Sequence, residues 1–348
     1  MAVWAAGVAA FVCALAAPAT AATAAEPQPV VKSKSSASSG GKAIPSRRKA
    51  RLSDRPSLAQ KQGLRATEDA LDLKSSAALV VDQDTDEVLF SKNAEAVLPI
   101  ASITKLMTAI VVVDAAQAMD EPLKVSKVAL DTPKNNRSRL QVGATLTRGE
   151  LMHLALMSSE NRAAYSIGAA YPGGLPALVD AMNQKAVELG MTDSHFVEPT
   201  GLSSDNRSSA HDLSLLVKAA YQHPVLREYS TDPDASVTVG RRMVQFRNTN
   251  SLVRNPSWEI GLQKTGYISE AGRCLVMQAQ LAGRKLIMVL LDSAGRYSRV
   301  GDAERIRRWL DSMPPASMTA ALPVPPQLTS APVTEGDGDL GRSGSDSF

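Results

Sequence analysis

Apolar positions in this chain form two kinds of run. Near residue 80 and again near residue 280 the runs are short and unbroken. Residues 77–81 and 87–90 flank Asp82-Gln83-Asp84-Thr85-Asp86, and residues 274–281 and 285–291 flank Ala282-Gly283-Arg284. Each pair predicts a β-hairpin, because two apolar runs are separated by a few turn-forming residues. Between them the pattern is helical, over residues 100–115, 146–156, 162–170, 174–189 and 210–221, with a closing helix at 303–310. Strands from both ends of a helical middle imply one sheet assembled from the two ends, with helices packed around it: an α/β (α+β) architecture. No internal repeat is present.

The ends of the chain have a different composition. Residues 5–17 are apolar, and Pro18 and the small-residue run 19–25 follow, which suits a secretory signal cut after Ala21 or Ala24. The other reading is an uncleaved anchor, but the run is short for a span of ~20 residues and Pro18 interrupts it. Residues 32–65 hold ten basic side chains and one acid, Asp54, in Ser/Pro/Gly-rich chain with too little apolar surface to fold. The organisation expected is a signal at 1–25, a basic disordered tether at 26–70, a catalytic domain at 71–313 and a disordered tail at 314–348. The net charge is +3, so with the tether set aside the folded part is mildly acidic, which argues against a nucleic-acid-binding face. Of two cysteines, Cys13 lies in the signal outside any lipobox and Cys274 is left alone, so no intrachain disulfide is expected. The protein is expected to be exported to the periplasm without a stable membrane anchor.

Candidate chemistry comes from three short motifs in order. Ser102-Ile103-Thr104-Lys105 is a Ser-x-x-Lys tetrad. Ser39-Gly40-Gly41-Lys42 and Ser46-Arg47-Arg48-Lys49 match the same pattern, but they lie in the tether, whereas Pro99 and the apolar residues around Ser102 start a helix. A spacing of three puts Ser102 and Lys105 on one helix face, a turn apart. A lysine in apolar surroundings loses its proton and can serve as a base, and the helix N-terminus favours a developing oxyanion. Ser159-Glu160-Asn161 is preferred to Ser204-Asp205-Asn206 and Ser91-Lys92-Asn93 because it joins two helical segments and small residues follow it. Ser159 would relay a proton between Lys105 and a leaving amine, and the Asn161 amide would hold Lys105 and substrate backbone. Ser204 follows the turn Glu198-Pro199-Thr200-Gly201, where an Asx-type loop is expected. Lys264-Thr265-Gly266 offers fixed positive charge, a hydroxyl for a substrate carboxylate, and a close backbone approach. The amides of Ser102 and Tyr267 would then form an oxyanion pair. His153, His195, His211 and His223 show no metal-ligand spacing, and no cofactor is expected.

The three motifs together resemble those of low-molecular-mass penicillin-binding proteins of the D-Ala-D-Ala peptidase family. Residues 98–109, Lys264-Thr265-Gly266-Tyr267 and Glu270-Ala271-Gly272-Arg273-Cys274 carry the likeness. Ser138-Arg139-Leu140, residues 155–164 and Tyr171-Pro172-Gly173-Gly174 look most like the periplasmic D-alanyl-D-alanine endopeptidases. The likeness spans about residues 73–310. It implies the penicillin-recognising serine transferase fold, with a mostly antiparallel five-stranded sheet packed against helices and a helical subdomain. It implies acylation of Ser102 by a peptidoglycan stem peptide or a β-lactam, with Lys105 as base and Ser159 as relay. Arg299 is similar in position to an arginine that binds the substrate carboxylate; equally, it suits a surface charge preceding a helix. No Glu-x-x-Leu-Asn pattern is present, so fast β-lactam turnover is not expected. A DD-endopeptidase cutting D-Ala–diaminopimelate cross-links is the leading expectation. A DD-carboxypeptidase, a non-catalytic wall-binding protein and a β-lactamase are the others.

Overall fold

The computed structural model describes residues 56–127 and 138–313, all within one compact unit, Ala50–Phe348. The expected signal, most of the tether and the tail lie outside the described residues. The chain enters through one helical turn, α1 (Leu58–Lys61), capped reciprocally by Ser57 and Gln60. Strands β1 (Ala77–Asp82) and β2 (Val88–Lys92) follow, then a short β3 (Leu98–Pro99) and helix α2 (Thr104–Asp114). A small pair, β4 (Pro122–Lys124) and β5 (Thr145–Thr147), leads to helices α3 (Arg148–Met157), α4 (Asn161–Ala169) and α5 (Gly174–Glu188). Strand β6 (Arg207–Ser208) pairs back with β3 and precedes helices α6 (Ala210–Tyr221) and α7 (Pro224–Thr231). The chain then forms the hairpin β7 (Asp234–Val239) and β8 (Arg242–Arg247), three ten-residue strands β9 (Glu259–Ile268), β10 (Gly272–Leu281) and β11 (Arg284–Ser293), and helix α8 (Ser298–Ser312).

The main sheet has five antiparallel strands in the order β2-β1-β11-β10-β9. This is the architecture the alternation of runs implied, with the two chain ends meeting where β1 pairs with β11. The strands are apolar without a break because both faces are covered. Ala77, Leu79 and Val81, with Ile287, Val289 and Leu291, point into the core beneath the helical region. Ala78 and Val80, with Leu286, Met288 and Leu290, pack on the other face against Ala303, Ile306 and Leu310 of α8. The β10–β11 turn uses Ala282 and Gly283, both at positive φ (49° and 75°), as a two-residue hairpin turn needs. Helix α2 is buried nearly all round, from Thr104 to Val112.

Four expectations need correction. The tether does not extend to residue 70: α1 and the turn after it are folded, with Leu58 N bonded to Glu270 O at 3.0 Å, Ala59 buried, and Arg65 paired to Asp292 at 3.0 Å. The helix expected over 100–115 begins as a 3₁₀ turn, Ala101–Ile103, and turns α-helical only at Thr104. The helix expected at 146–156 starts at Arg148, where Thr147 and Glu150 form a capping box. The closing helix starts five residues early, at Ser298, and so contains Arg299. Helix α7 and the β7–β8 hairpin had no counterpart in the expected elements.

Candidate active site

The site forms where the start of α2 meets the edge strand β9. Ser102 lies in the 3₁₀ turn, and Ala101 before it has φ 48°, a left-handed conformation that disfavours a side chain. Two glycines hold the turn in this shape. A Cβ on Gly266 would stand 2.9 Å from Ile100 O and 3.0 Å from Ser102 N, and one on Gly201 would stand 1.9 Å from Ala101 O. The Lys-Thr-Gly strand therefore lies directly against the Ser102 backbone, a closeness only glycine permits.

Lys105 is 1% exposed and points across the turn. Its Nζ is 2.8 Å from Ser102 Oγ, 2.8 Å from Asn161 Oδ1 and 2.5 Å from Thr200 O. Burial lowers its pKa to about 7, and the carboxylates of Glu198 and Glu160 partly oppose the shift. A neutral amine has two N–H groups and one lone pair. Asn161 Oδ1 and Thr200 O accept the two N–H groups, which leaves the lone pair for the Ser102 hydroxyl proton. The arrangement suits abstraction of that proton.

Of the Ser-x-Asn triplets, only Ser159-Glu160-Asn161 joins this centre. Ser159 lies in the α3–α4 loop at φ 62°, and its hydroxyl has no partner among the described residues. Asn206 of the Ser204 triplet is instead buried inside its own loop, with Oδ1 accepting from Val197 N at 2.8 Å and Nδ2 donating to Thr104 Oγ1 at 3.1 Å. Asn93 ties Leu64 O and Ser76 O, at 3.0 and 2.7 Å, at the end of β2, the edge strand opposite β9.

Two carboxylates that the motifs did not single out shape the site. Glu198 gathers the turn after it, accepting from Thr200 N at 2.7 Å and Gly201 N at 2.6 Å, and so aims the Thr200 carbonyl at Lys105. Glu160 accepts from Ser138 Oγ at 2.7 Å and Arg139 N at 3.3 Å, fixing the segment that follows residues 128–137. Arg139 continues to the β7–β8 hairpin, with its guanidinium on Gln245 O and 4.2 Å from the Phe246 ring centre.

Lys264 is fully buried on β9, and its Nζ donates to Thr265 O at 2.9 Å. Burial, with the charges of Lys105 and Arg299 nearby, pushes its pKa well below the usual lysine range. Thr265 Oγ1 is 2.6 Å from Thr249 Oγ1, and Thr249 N donates to Met157 O at 3.1 Å, so one threonine links β9 to the end of α3. Tyr267 is half-exposed at the strand end, opposite Arg273 in the β9–β10 register. The charge of Arg299 is felt at Lys264, and burial together with the charge of Arg273 lowers the pKa of Arg299 itself. Among the described residues no group of three or more His, Cys, Asp or Glu is placed to hold a metal.

Known proteins resemble this chain in sequence and fold. A family model described as D-alanyl-D-alanine carboxypeptidase matches residues 64–295, about two thirds of the chain. A protein of Pseudomonas aeruginosa named D-alanyl-D-alanine endopeptidase is 46% identical over 252 residues, 72% of this chain and 81% of that one. An Escherichia coli protein of the same name is 41% identical over 259 residues, 74% of this chain and 84% of that one. A solved Streptomyces DD-transpeptidase variant superposes with a TM-score of 0.63 at 25% identity, covering 69% of this chain and 99% of its own. An ampicillin-bound penicillin-binding protein of Listeria monocytogenes does so with a TM-score of 0.60 at 30% identity, covering 70% and 100%. With a serine and a buried lysine joined across one turn and relatives at this level of identity, the chain belongs to the D-alanyl-D-alanine carboxypeptidase family and is a serine-type D-Ala-D-Ala peptidase.

Proposed function

We propose that this peptidase is a DD-endopeptidase that hydrolyses D-Ala–diaminopimelate cross-links of peptidoglycan through an acyl-enzyme on Ser102. The contact of 2.8 Å between Lys105 Nζ and Ser102 Oγ carries the reading. The Ser102 proton passes to Lys105 as Oγ attacks the D-alanine carbonyl carbon. The oxyanion that forms is held by the amides of Ser102 and Tyr267. The tetrahedral intermediate collapses, the C–N bond breaks, and the proton on Lys105 reaches the departing amine through Ser159. Water then attacks the ester, returns a proton to Ser102 and releases the acyl strand. Asn161 Nδ2 holds substrate backbone, while Lys264, Thr265 and Arg299 receive the carboxylate beside the leaving amine.

Two observations favour the cross-linked substrate. The relatives with the highest identities above are named endopeptidases. The Glu160 carboxylate also builds a wall with Ser138 and Arg139 that reaches the β7–β8 hairpin. The family model is named for carboxypeptidase activity, and that is the second reading. β-Lactams would acylate the same serine as covalent inhibitors. A periplasmic location is the reading that goes with a peptidoglycan substrate, and among the described residues no helix is long and apolar enough to cross a membrane. Incubation with cross-linked muropeptide dimers and with monomeric pentapeptides separates the two activities. Loss of dimer without free D-alanine is expected. Release of D-alanine with the dimer intact would reject the endopeptidase.

A further inference from the structure

The positive charge of the site extends past the catalytic cleft. Arg299 lies in the field of Arg273, and beyond Tyr267 a second cleft of about 190 Å³ opens, with Arg65, Arg273 and Arg296 on its wall. Its one carboxylate is already engaged: Asp292 Oδ2 accepts from Arg65 Nη2 at 3.0 Å and from Ser76 Oγ at 2.6 Å. The other arginines have no anion. Arg273 stacks on the Tyr267 ring at 4.5 Å and Arg296 on the Tyr297 ring at 5.3 Å. Neither they nor Arg299 has a side-chain hydrogen bond or ion pair among the described residues. Arg273 and Arg296 thus share one cleft with no carboxylate bonded to either, and each keeps a fork of donors suited to one. The cleft also lies at the N-terminal end of α8, whose dipole adds positive potential.

Position determines what this cleft can take. Tyr267 is one of its walls and is also the residue after Gly266, which lies against the Ser102 amide. One strand residue advances the chain about 3.3 Å, so the cleft begins next to the group that receives the leaving-group carboxylate. We infer that the cleft bounded by Tyr267, Arg273 and Arg296 is a second anion subsite, for a further carboxylate on a leaving group larger than one amino acid. The inference rests on the peptidase reading above and names the feature that selects its substrate. A departing D-alanine has one carboxylate, beside its amine. A departing cross-linked strand also carries the carboxylates of the peptide attached to its diaminopimelate, several bonds further out. Only the second kind of leaving group engages both cationic groups.

Steady-state kinetics of the full chain test this with a cross-linked muropeptide dimer and a monomeric pentapeptide. Arg296 is exposed, so Arg296→Gln is expected to fold and to acylate with penicillin at the unaltered rate. Its KM for the dimer should rise about tenfold, the loss of one charge-assisted contact, with kcat within about twofold and the pentapeptide unaffected. Arg273→Gln should raise the dimer KM similarly, and Arg296→Lys should recover part of the loss. An unchanged dimer KM in both Gln variants, or an equal rise for dimer and pentapeptide, would overturn the subsite. If the wild-type chain acylates with penicillin but leaves the dimer intact, the endopeptidase reading fails by itself. The subsite is then judged by competition: the uncut dimer should slow penicillin acylation less in Arg296→Gln than in wild type, and equal slowing would overturn it.

Discussion

Lys105→Met should leave a folded protein whose acylation by penicillin is slower by at least about a thousandfold, the usual contribution of a general base acting with its nucleophile. Met fills nearly the same volume without the amine, so the loss reports chemistry and not collapse of the pocket. The variant should also show how much stability the buried amine removes. Its pKa falls from 10.5 to about 7 in the folded protein. Between those values the unfolded chain binds the extra proton, so wild-type stability rises with pH across that window. Below pH 7 both states are protonated and the full penalty applies, on the order of 5 kcal/mol before the hydrogen bonds lost in the variant are counted. Urea unfolding at pH 6.5 and pH 9.5 should therefore show wild type gaining on Lys105→Met at the higher pH. A constant gap would mean that the amine is not desolvated.

Gly201→Ala should be the most destabilising of the conservative substitutions at the site. The new Cβ would lie 1.9 Å from Ala101 O and 2.2 Å from Ala101 C, at φ 78°. These are backbone atoms, so no side-chain rotation relieves the clash, and the nucleophile turn must shift. About 3–5 kcal/mol of stability should be lost, and acylation should fall with it. Gly190→Ala is the control. It also has positive φ, 75°, but nothing lies within 4 Å of the added methyl, so only the left-handed strain applies, about 1–2 kcal/mol. Equal losses at the two positions in urea unfolding would mean that the contact with Ala101 is not tight.

These two experiments mark the boundary of what the sequence makes legible. Ser102 and Lys105 were readable because a spacing of three becomes one helical turn, and they do meet. The 3₁₀ turn carrying Ser102 was not readable. Ala101 takes its left-handed conformation where the backbones of Gly201 and Gly266, far away in sequence, lie close against the turn. Ser159-Glu160-Asn161 was separable from its two look-alikes by its place between helices, and Asn161 does reach Lys105. Glu198 escaped notice because its role is to collect backbone amides, a job with no pattern beyond the Pro-Thr-Gly turn that follows it. The β7–β8 hairpin was missed although Val237, Val239, Val244 and Phe246 alternate around Gly240. Apart from Ala235 and Met243 its other strand positions are polar or arginine, so no unbroken apolar run stands out. The sheet core was legible because strands covered on both faces leave unbroken apolar runs.

The most direct test of the central claim is the rate of penicillin acylation of the wild-type chain, followed by intact-mass spectrometry at timed quenches from pH 5 to pH 9. A neutral Lys105 must be present to take the Ser102 proton, and its pKa is about 7. The rate should climb about tenfold per pH unit up to that value and then level, with the single adduct on the peptide that holds Ser102. An adduct on any other residue, or a rate that stays flat or falls between pH 5 and pH 7, would contradict a serine activated by this lysine.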